Sequence, residues 1–145
     1  MDDSGKRRQH SPKPKPELWA AVERADTGAV QMLLQQGKDP EERYEGWTPL
    51  MKASEENATE ALRMLIEKRC DIEAQNRKGR TALSFAAAPS NDGTTRRPTP
   101  VGTLRLLLEQ RANTKHKDQR GMTAKDCASR EQRDDSLAIF EELGF

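Results

Sequence analysis

The sequence predicts an all-α repeat solenoid, that is, a row of stacked helix pairs joined by tight turns. Two observations predict this fold. A short pattern, in which a threonine follows a glycine by two positions and apolar residues come next, recurs in phase along the chain. Each copy is followed by a second segment that carries an apolar stripe. Because one helix pair cannot bury such a stripe alone, neighbouring pairs must stack around a continuous core.

The first helix of each pair begins at this recurring pattern. The copies read GWTPLMKAS from Gly46, GRTALSFAA from Gly79 and GMTAKDCAS from Gly121. Thr48 offers an N-cap hydroxyl and Pro49 occupies the first helical position, where its missing N–H is no loss. Asn76 and Asp118 lie three residues before the second and third glycine, and side chains of this type bond their own backbone in turns. We therefore expect a tight turn before each first helix.

The second helix of each pair carries the stripe, with apolar residues at positions i, i+1, i+4 and i+5. These are Ala29, Val30, Leu33 and Leu34; Ala61, Leu62, Leu65 and Ile66; and, with a threonine at the first position, Thr103, Leu104, Leu107 and Leu108. A further copy at residues 18–39 lacks the leading turn but keeps both helices. The predicted domain therefore spans residues 17–145, in units of about 17–45, 46–78, 79–120 and 121–145.

These patterns resemble the ankyrin repeat, which runs G-x-T-P-L-H-x-A-A, then an apolar second helix, then L-L-x-x-G-A-D. The spacing from Leu50 to Leu83 is 33 residues, the ankyrin period. The unit from Gly46 matches best, through Gly46, Thr48, Pro49, Leu50, Ala53, Leu65, Ile66 and Asp71. The histidine of the pattern is replaced in all four units, by Trp19, Met51, Ser84 and Asp126. The resemblance implies helix pairs joined by β-hairpin-like fingers.

Several positions depart from the regular repeat. The glycine that ends the second helix becomes Arg69 and Arg111 in the inner units, where a left-handed conformation costs a non-glycine residue about 1 kcal/mol. The first finger, residues 39–46, is one residue shorter than the others, which predicts an irregular turn. In the last unit, Lys125 and Glu141 replace aliphatic residues. This predicts a polar cap, and we expect the array to end there.

The stretch PSNDGTTRRPTP, residues 89–100, interrupts the third unit. Leu83 and Lys125 are 42 residues apart, nine more than the regular period, which places an insertion at residues 90–98 between the two helices. Thr99 and Pro100 then repeat the N-cap pattern at the start of the second helix. Thr99 also follows two arginines, as in a basic kinase motif, so that phosphorylation competes with the capping role.

The N-terminal residues 1–16 form a separate basic, proline-rich segment that we expect to be disordered. The triplet at residues 6–8 is either a nuclear-import signal or part of a solubilising tail. The remaining residues hold 20 basic and 22 acidic side chains, which disfavours a dedicated nucleic-acid binder. No apolar run reaches the roughly 20 residues of a membrane span. We expect an intracellular monomer, in the cytoplasm, with the nucleus as the alternative.

Few residues have the character of a catalytic or metal site. His10 lies in the tail and His116 in a predicted finger between two lysines. The acid pairs at 41–42 and 55–56 lie in charged surroundings, where a solvated face is the simpler interpretation. The two cysteines, Cys70 and Cys127, form no zinc spacing, and we expect both to be buried. The sequence predicts no enzyme, no metal and no cofactor.

The ankyrin resemblance implies a non-catalytic module that binds a partner protein through its finger tips and its first-helix face. Carried over by position, the candidate contact residues are Arg43, Glu45, Trp47, Glu55, Glu56, Arg77, Lys78, Arg80, Lys117, Gln119, Arg120 and Met122. Trp47 is either an interface anchor or a residue that packs on the neighbouring finger. The alternative function is nucleic-acid or anionic-surface binding, through the tail and the basic strip formed by Arg77, Lys78, Arg80, Lys117 and Arg120.

Overall fold

The computed structural model describes residues 13–88 and 101–145, which contain eight helices arranged as four pairs. The helices are α1 (Glu17–Glu23), α2 (Thr27–Gln35), α3 (Pro49–Glu55), α4 (Thr59–Glu67), α5 (Ala82–Ala87), α6 (Val101–Glu109), α7 (Ala124–Arg130) and α8 (Asp134–Glu142). Within the described residues, an antiparallel bridge between Tyr44 and Trp47 is the one β interaction. The predicted all-helical repeat solenoid is confirmed.

The helices stack in two rows with the core between them. The first helices, α1, α3, α5 and α7, contact one another in that order, and the second helices, α2, α4, α6 and α8, do the same. The apolar stripe of the second helices faces this core: Val30, Leu62, Leu65, Leu104 and Leu107 are all fully buried. The apolar residues are few, but they are therefore concentrated in one continuous interior.

The first helices begin where the threonines predict. The Thr48 hydroxyl accepts a hydrogen bond from the N–H of Met51, and Pro49 occupies the first turn. Thr123 is part of a capping box, in which its hydroxyl accepts the N–H of Asp126 and its own N–H donates to the Asp126 carboxylate. Two of the three threonine-initiated helices thus have the side-chain cap that the sequence suggests.

A buried hydroxyl group joins the second repeat to the third, and another joins the third repeat to the fourth. Thr103 on α6 donates to the carbonyl of Ser54 on α3, and Ser136 on α8 donates to the carbonyl of Ala87 on α5, 2.8 Å away. In both cases the donor lies near the start of a second helix and the acceptor near the end of the preceding first helix. These bonds satisfy carbonyls that the short first helices leave unpaired.

The second helices of the inner repeats end in left-handed residues. Arg69 and Arg111 both have φ of 62°, as their place in the repeat predicts. The sequence did not reveal that Ala25, Asn57 and Gln132, in the turns within three of the repeats, are left-handed as well. Ala25 and Gln132 gave no signal for this conformation, whereas Asn57 is of the residue type that adopts it most readily after glycine.

The two helices of the third repeat are further apart in sequence than those of the other repeats. α5 ends at Ala87 and the described part of α6 begins at Val101, whereas only residues 24–26, 56–58 and 131–133 lie between the helices of the other pairs. The predicted insertion at 90–98 and the predicted cap or phosphorylation site at Thr99 lie outside the described residues. The same holds for residues 1–12, which include the basic triplet.

Candidate protein-interaction surface

The first finger is a tight two-residue hairpin. Tyr44 and Trp47 exchange two backbone hydrogen bonds, of 2.9 and 3.0 Å, and Glu45 and Gly46 between them have φ of 53° and 86°. Positive φ at both central residues is the signature of a type I′ turn, the usual turn of a two-residue hairpin. The first finger does depart from the other two, as its shorter length predicts: it closes through two residues, whereas the second and third fingers are built around Asn76 and Asp118. Glu45 is held at the exposed tip.

The second and third fingers are built around one polar side chain each, as the sequence predicts. The Asn76 side-chain oxygen accepts the N–H groups of Lys78 and Arg80, both at 2.9 Å. Asp118 is buried and accepts the N–H groups of Arg120 and Met122 in the same way. Each loop is thereby fixed from within.

Neighbouring fingers are joined by side chains that reach from one finger to the next. Arg43 donates to the carbonyl of Gln75 at 2.8 Å, and the amide of Gln119 donates to the carbonyl of Arg77 at the same distance. The carboxylate of Glu41 accepts the N–H of Asp71, which gives this acid a structural role. Arg43 and Gln119, predicted to contact a partner, therefore also hold the row of fingers together.

Arg80 does not belong to the exposed basic strip. Its guanidinium group donates to the carbonyls of Ser84 and Ala88, at 3.3 and 3.2 Å, and lies 4.2 Å from the centre of the Phe85 ring. Burial lowers the pKa of Arg80. The prediction that this side chain lies on the strip is corrected: α5 ends at Ala87 and leaves carbonyls for it to cap.

The remaining cations of the strip differ in their surroundings. Arg120 donates to the Asp118 carboxylate at 2.9 Å. Burial opposes ionisation of Asp118, but hydrogen bonds from Arg120 and Met122 outweigh it and lower the pKa of this carboxyl. Arg77, Lys78 and Lys117 are exposed. The second and third finger tips therefore present positive charge to solvent, in contrast to Glu45 on the first.

A groove lies between the first finger and the first helices of the first two repeats. It has a volume of about 310 Å³, and its lining residues are Trp19, Tyr44, Glu45, Trp47, Lys52 and Glu55. The Trp19 and Tyr44 ring centres are 5.0 Å apart, with the planes tilted by 59°. Trp47 packs on Phe85 of the third repeat, 4.2 Å between ring centres, and is half-buried. We refer to this feature as the aromatic groove.

Lys52 is the electrostatic centre of the aromatic groove. Its ammonium group lies 3.2 Å from a carboxylate oxygen of Glu55 and 3.2 Å from one of Glu56. It also lies 5.4 Å from the centre of the Trp19 ring and 5.6 Å from that of Trp47, within the range of cation–π attraction. The two acids predicted on the first-helix face are thus anchored to one cation in the groove wall.

The groups singled out for possible chemistry have structural partners. The Nε2 atom of His116 lies 2.8 Å from the carbonyl oxygen of Gly79, and Cys70 and Cys127 are buried, as expected. Burial raises the pKa of Cys70 to about 12. Residues 13–88 and 101–145 contain no group of three His, Cys, Asp or Glu side chains that could hold a metal ion. None of the helices there is long and apolar enough to cross a membrane.

Comparison with known protein families matches the model described as ankyrin repeats, in three copies, to residues 18–97, which is 80 of the 145 residues. The chain belongs to the ankyrin-repeat family. Two curated relatives are the protein phosphatase 1 regulatory subunit 12A of Mus musculus and that of Rattus norvegicus. Each is 37% identical over 70 residues, or 48% of this chain, and the aligned part covers only 7% of either relative.

Three groove residues were missed by sequence reasoning: Trp19, Tyr44 and Lys52. Trp19 occupies the position of the ankyrin histidine, which places its ring beside the fingers. A signal was present, because the chain has only six aromatic residues, and two tryptophans and the one tyrosine fall between residues 19 and 47. That concentration in the first two ankyrin repeats indicates an aromatic surface there.

Proposed function

We propose that the chain is a non-catalytic adaptor or regulator whose ankyrin repeats bind a partner protein in the aromatic groove and along the finger tips. The groove is the observation that carries this proposal. It combines three aromatic rings with the charged groups of Glu45, Lys52 and Glu55. Tryptophan, tyrosine and charged groups at a partly desolvated site are typical of the residues that dominate binding energy at protein interfaces.

A non-catalytic role is supported by the partners of the titratable groups. The acid pair at 55–56 is anchored to Lys52, and His116 lies against a backbone carbonyl. These side chains therefore stabilise the fingers and the groove wall. The regulator role is supported by the relatives, whose name describes a regulatory subunit, although they share only one short region with this chain.

The finger tips extend the proposed contact surface beyond the groove. Lys78 and Lys117 are exposed on the second and third fingers, and Glu45 is exposed on the first. A partner would therefore meet an acidic tip beside the groove and basic tips further along. Such charges determine the rate of encounter and the choice of partner more than the affinity. Arg43 and Arg80 act as supports of this surface, because their guanidinium groups bond backbone carbonyls.

The proposal is tested by affinity capture from native cell lysate with two charge-reversed variants of equal net charge. One carries Glu45→Lys and Lys78→Glu at the finger tips. The matched control carries Glu67→Lys and Lys68→Glu, exposed at the end of α4 in the row of second helices. We expect the finger variant alone to lose specific protein partners, while circular dichroism shows both variants folded.

Capture of the same proteins by both variants would contradict the assignment of the binding surface. If the chain captured RNA or DNA in place of protein, and lost it between roughly 50 and 200 mM salt, the basic strip would be the binding site and the alternative function would hold.

A further inference from the structure

A lysine from outside the repeats lies at the mouth of the aromatic groove. The ammonium group of Lys15 is 5.5 Å from the centre of the Trp19 ring and 5.7 Å from that of Tyr44. Both distances lie within the roughly 6 Å over which a cation is attracted to a ring face. The same group donates to the Glu23 carboxylate at 2.9 Å. A primary ammonium group at the mouth of the groove therefore contacts two aromatic rings and one carboxylate at once.

Lys15 and Lys52 both contact the Trp19 ring, but they are held very differently. Lys52 belongs to α3, is 13% exposed and lies within 4.0 Å of three carboxylates. Lys15 precedes α1 in a stretch without regular structure, is 38% exposed and has one carboxylate partner. Lys52 is therefore a fixed part of the groove wall, and Lys15 is an occupant that can leave.

The surroundings of Lys15 favour a cation in general. The hydrogen bond to Glu23 is the main cause of the raised pKa of Lys15, with smaller contributions from the charges of Glu23 and Glu45 and from Tyr44. Glu45 is held at the tip of the first finger, beside the groove. Two rings and two carboxylates therefore converge on the space that the ammonium group occupies.

We propose that this mouth, formed by Trp19, Tyr44, Glu23 and Glu45, is a subsite for a lysine or arginine side chain of the partner protein. Lys15 occupies the subsite in the free chain and is displaced when the partner binds. This inference rests on the proposed function, since it names the chemistry that the same groove recognises. It also assigns the N-terminal segment a role as an internal competitor.

The size of the competition follows from the weakness of the contacts. The ion pair and the two cation–π contacts of Lys15 favour the occupied subsite, and the entropy of ordering the Lys15 backbone and side chain offsets most of that gain, so we take the subsite to be filled for about two-thirds to four-fifths of the time. The apparent dissociation constant of an external ligand rises in inverse proportion to the fraction of open sites. Lys15 therefore weakens the binding of an external lysine or arginine side chain by about three- to fivefold.

The test uses the full chain and a blocked tripeptide, acetyl-Pro-Lys-Pro-amide, which reproduces residues 14–16. Binding is followed by NMR through the indole N–H signals of the two tryptophans. We expect Lys15→Gln to lower the Kd of the peptide about three- to fivefold relative to the wild type. Lys13→Gln, an equal loss of charge two residues away, is the matched control and should leave the Kd unchanged.

Two further comparisons separate a cation subsite from a merely apolar one. In the Lys15→Gln chain, the peptide with norleucine in place of lysine should bind at least fivefold more weakly, and Glu23→Gln should weaken the lysine peptide. Equal binding of the norleucine peptide, or no effect of Lys15→Gln, would overturn the inference. A chain that binds the lysine peptide but no protein partner would refute the proposed function alone. A chain that binds partners through the groove and ignores the peptide would refute the subsite alone.

Discussion

Replacing either left-handed arginine by glycine should stabilise the protein. Arg69 and Arg111 end α4 and α6 with φ of 62°, where the first and last repeats have Gly37 and Gly144 at φ of 84° and 85°. A side chain in this conformation costs about 1–2 kcal/mol, which glycine avoids. Glycine also makes the unfolded chain more flexible, which offsets part of the gain. We therefore expect about 1 kcal/mol of added unfolding free energy for each substitution.

The expected change is large enough to measure. At roughly 2.1 cal/mol/K per residue, a chain of 145 residues unfolds with an entropy of about 0.3 kcal/mol/K, so 1 kcal/mol raises the Tm by about 3 °C. The two sites end different helices, and their effects should add to about 2 kcal/mol in the double variant. Urea unfolding followed by circular dichroism measures the unfolding free energy of the single and double variants, and the m-value should stay unchanged. A thermal scan measures the Tm.

Arg63→Gly is the matched control, because it makes the same substitution inside α4. There the backbone is helical and glycine lowers stability by about 1 kcal/mol. The ion pair of Arg63 with Glu60, 3.8 Å and exposed, adds little. The same substitution should thus lower the unfolding free energy at residue 63 and raise it at residue 69. If Arg69→Gly lowered stability as Arg63→Gly does, the left-handed conformation would not be the source of strain.

Three further predictions concern buried side chains. Phe85→Ala should lower the unfolding free energy by about 3–5 kcal/mol in urea titrations, because Phe85 is fully buried between Trp47 and Arg80; a loss under 1 kcal/mol would contradict that packing. Cys70, whose pKa is raised to about 12, should react with a disulfide reagent at pH 8 only as fast as the chain unfolds; rapid labelling of the folded chain would argue against its burial. Asp118→Asn should cost about 1–3 kcal/mol at pH 7. Since the carboxyl pKa is lowered by folding, its contribution is present above the unfolded pKa and fades as the pH falls below about 4, so the difference between the variants should shrink there; a constant difference would refute the role of its charge.

The local features of the repeat could be predicted from the sequence, because they depend on residues close together in the chain. Thr48 caps α3, Asn76 shapes the second finger, and Arg69 adopts the left-handed conformation of the glycine it replaces. In each case the relevant atoms lie within a few residues of one another, and the repeat register fixes the position. The pattern therefore carries both the fold class and these turns.

The aromatic groove could not be predicted in the same way, because its walls are assembled by the stacking of repeats. Trp19 meets Tyr44 across 25 positions of sequence, and Trp47 meets Phe85 across 38. The direction of Arg80 likewise depends on the early end of α5 and on the Phe85 ring beside it. The pattern of charges along the fingers cannot show that Arg80, and not another arginine, turns inward toward the carbonyls of Ser84 and Ala88 and the Phe85 ring.

The groove and the stability of the repeat array are physically connected. In a repeat protein each unit contacts only its neighbours, so a binding surface built between two units depends on the interface that joins them. Here the dependence reaches one unit further, because Trp47 in the groove wall packs on Phe85 of the third repeat. The guanidinium group of Arg80, in the same repeat, also lies against the Phe85 ring. The third repeat thus supports a groove that it does not line. Under the proposed function, substitutions at Phe85 or Arg80 should weaken partner binding through this support, whereas a substitution at the exposed Glu45 should weaken it by removing a proposed contact.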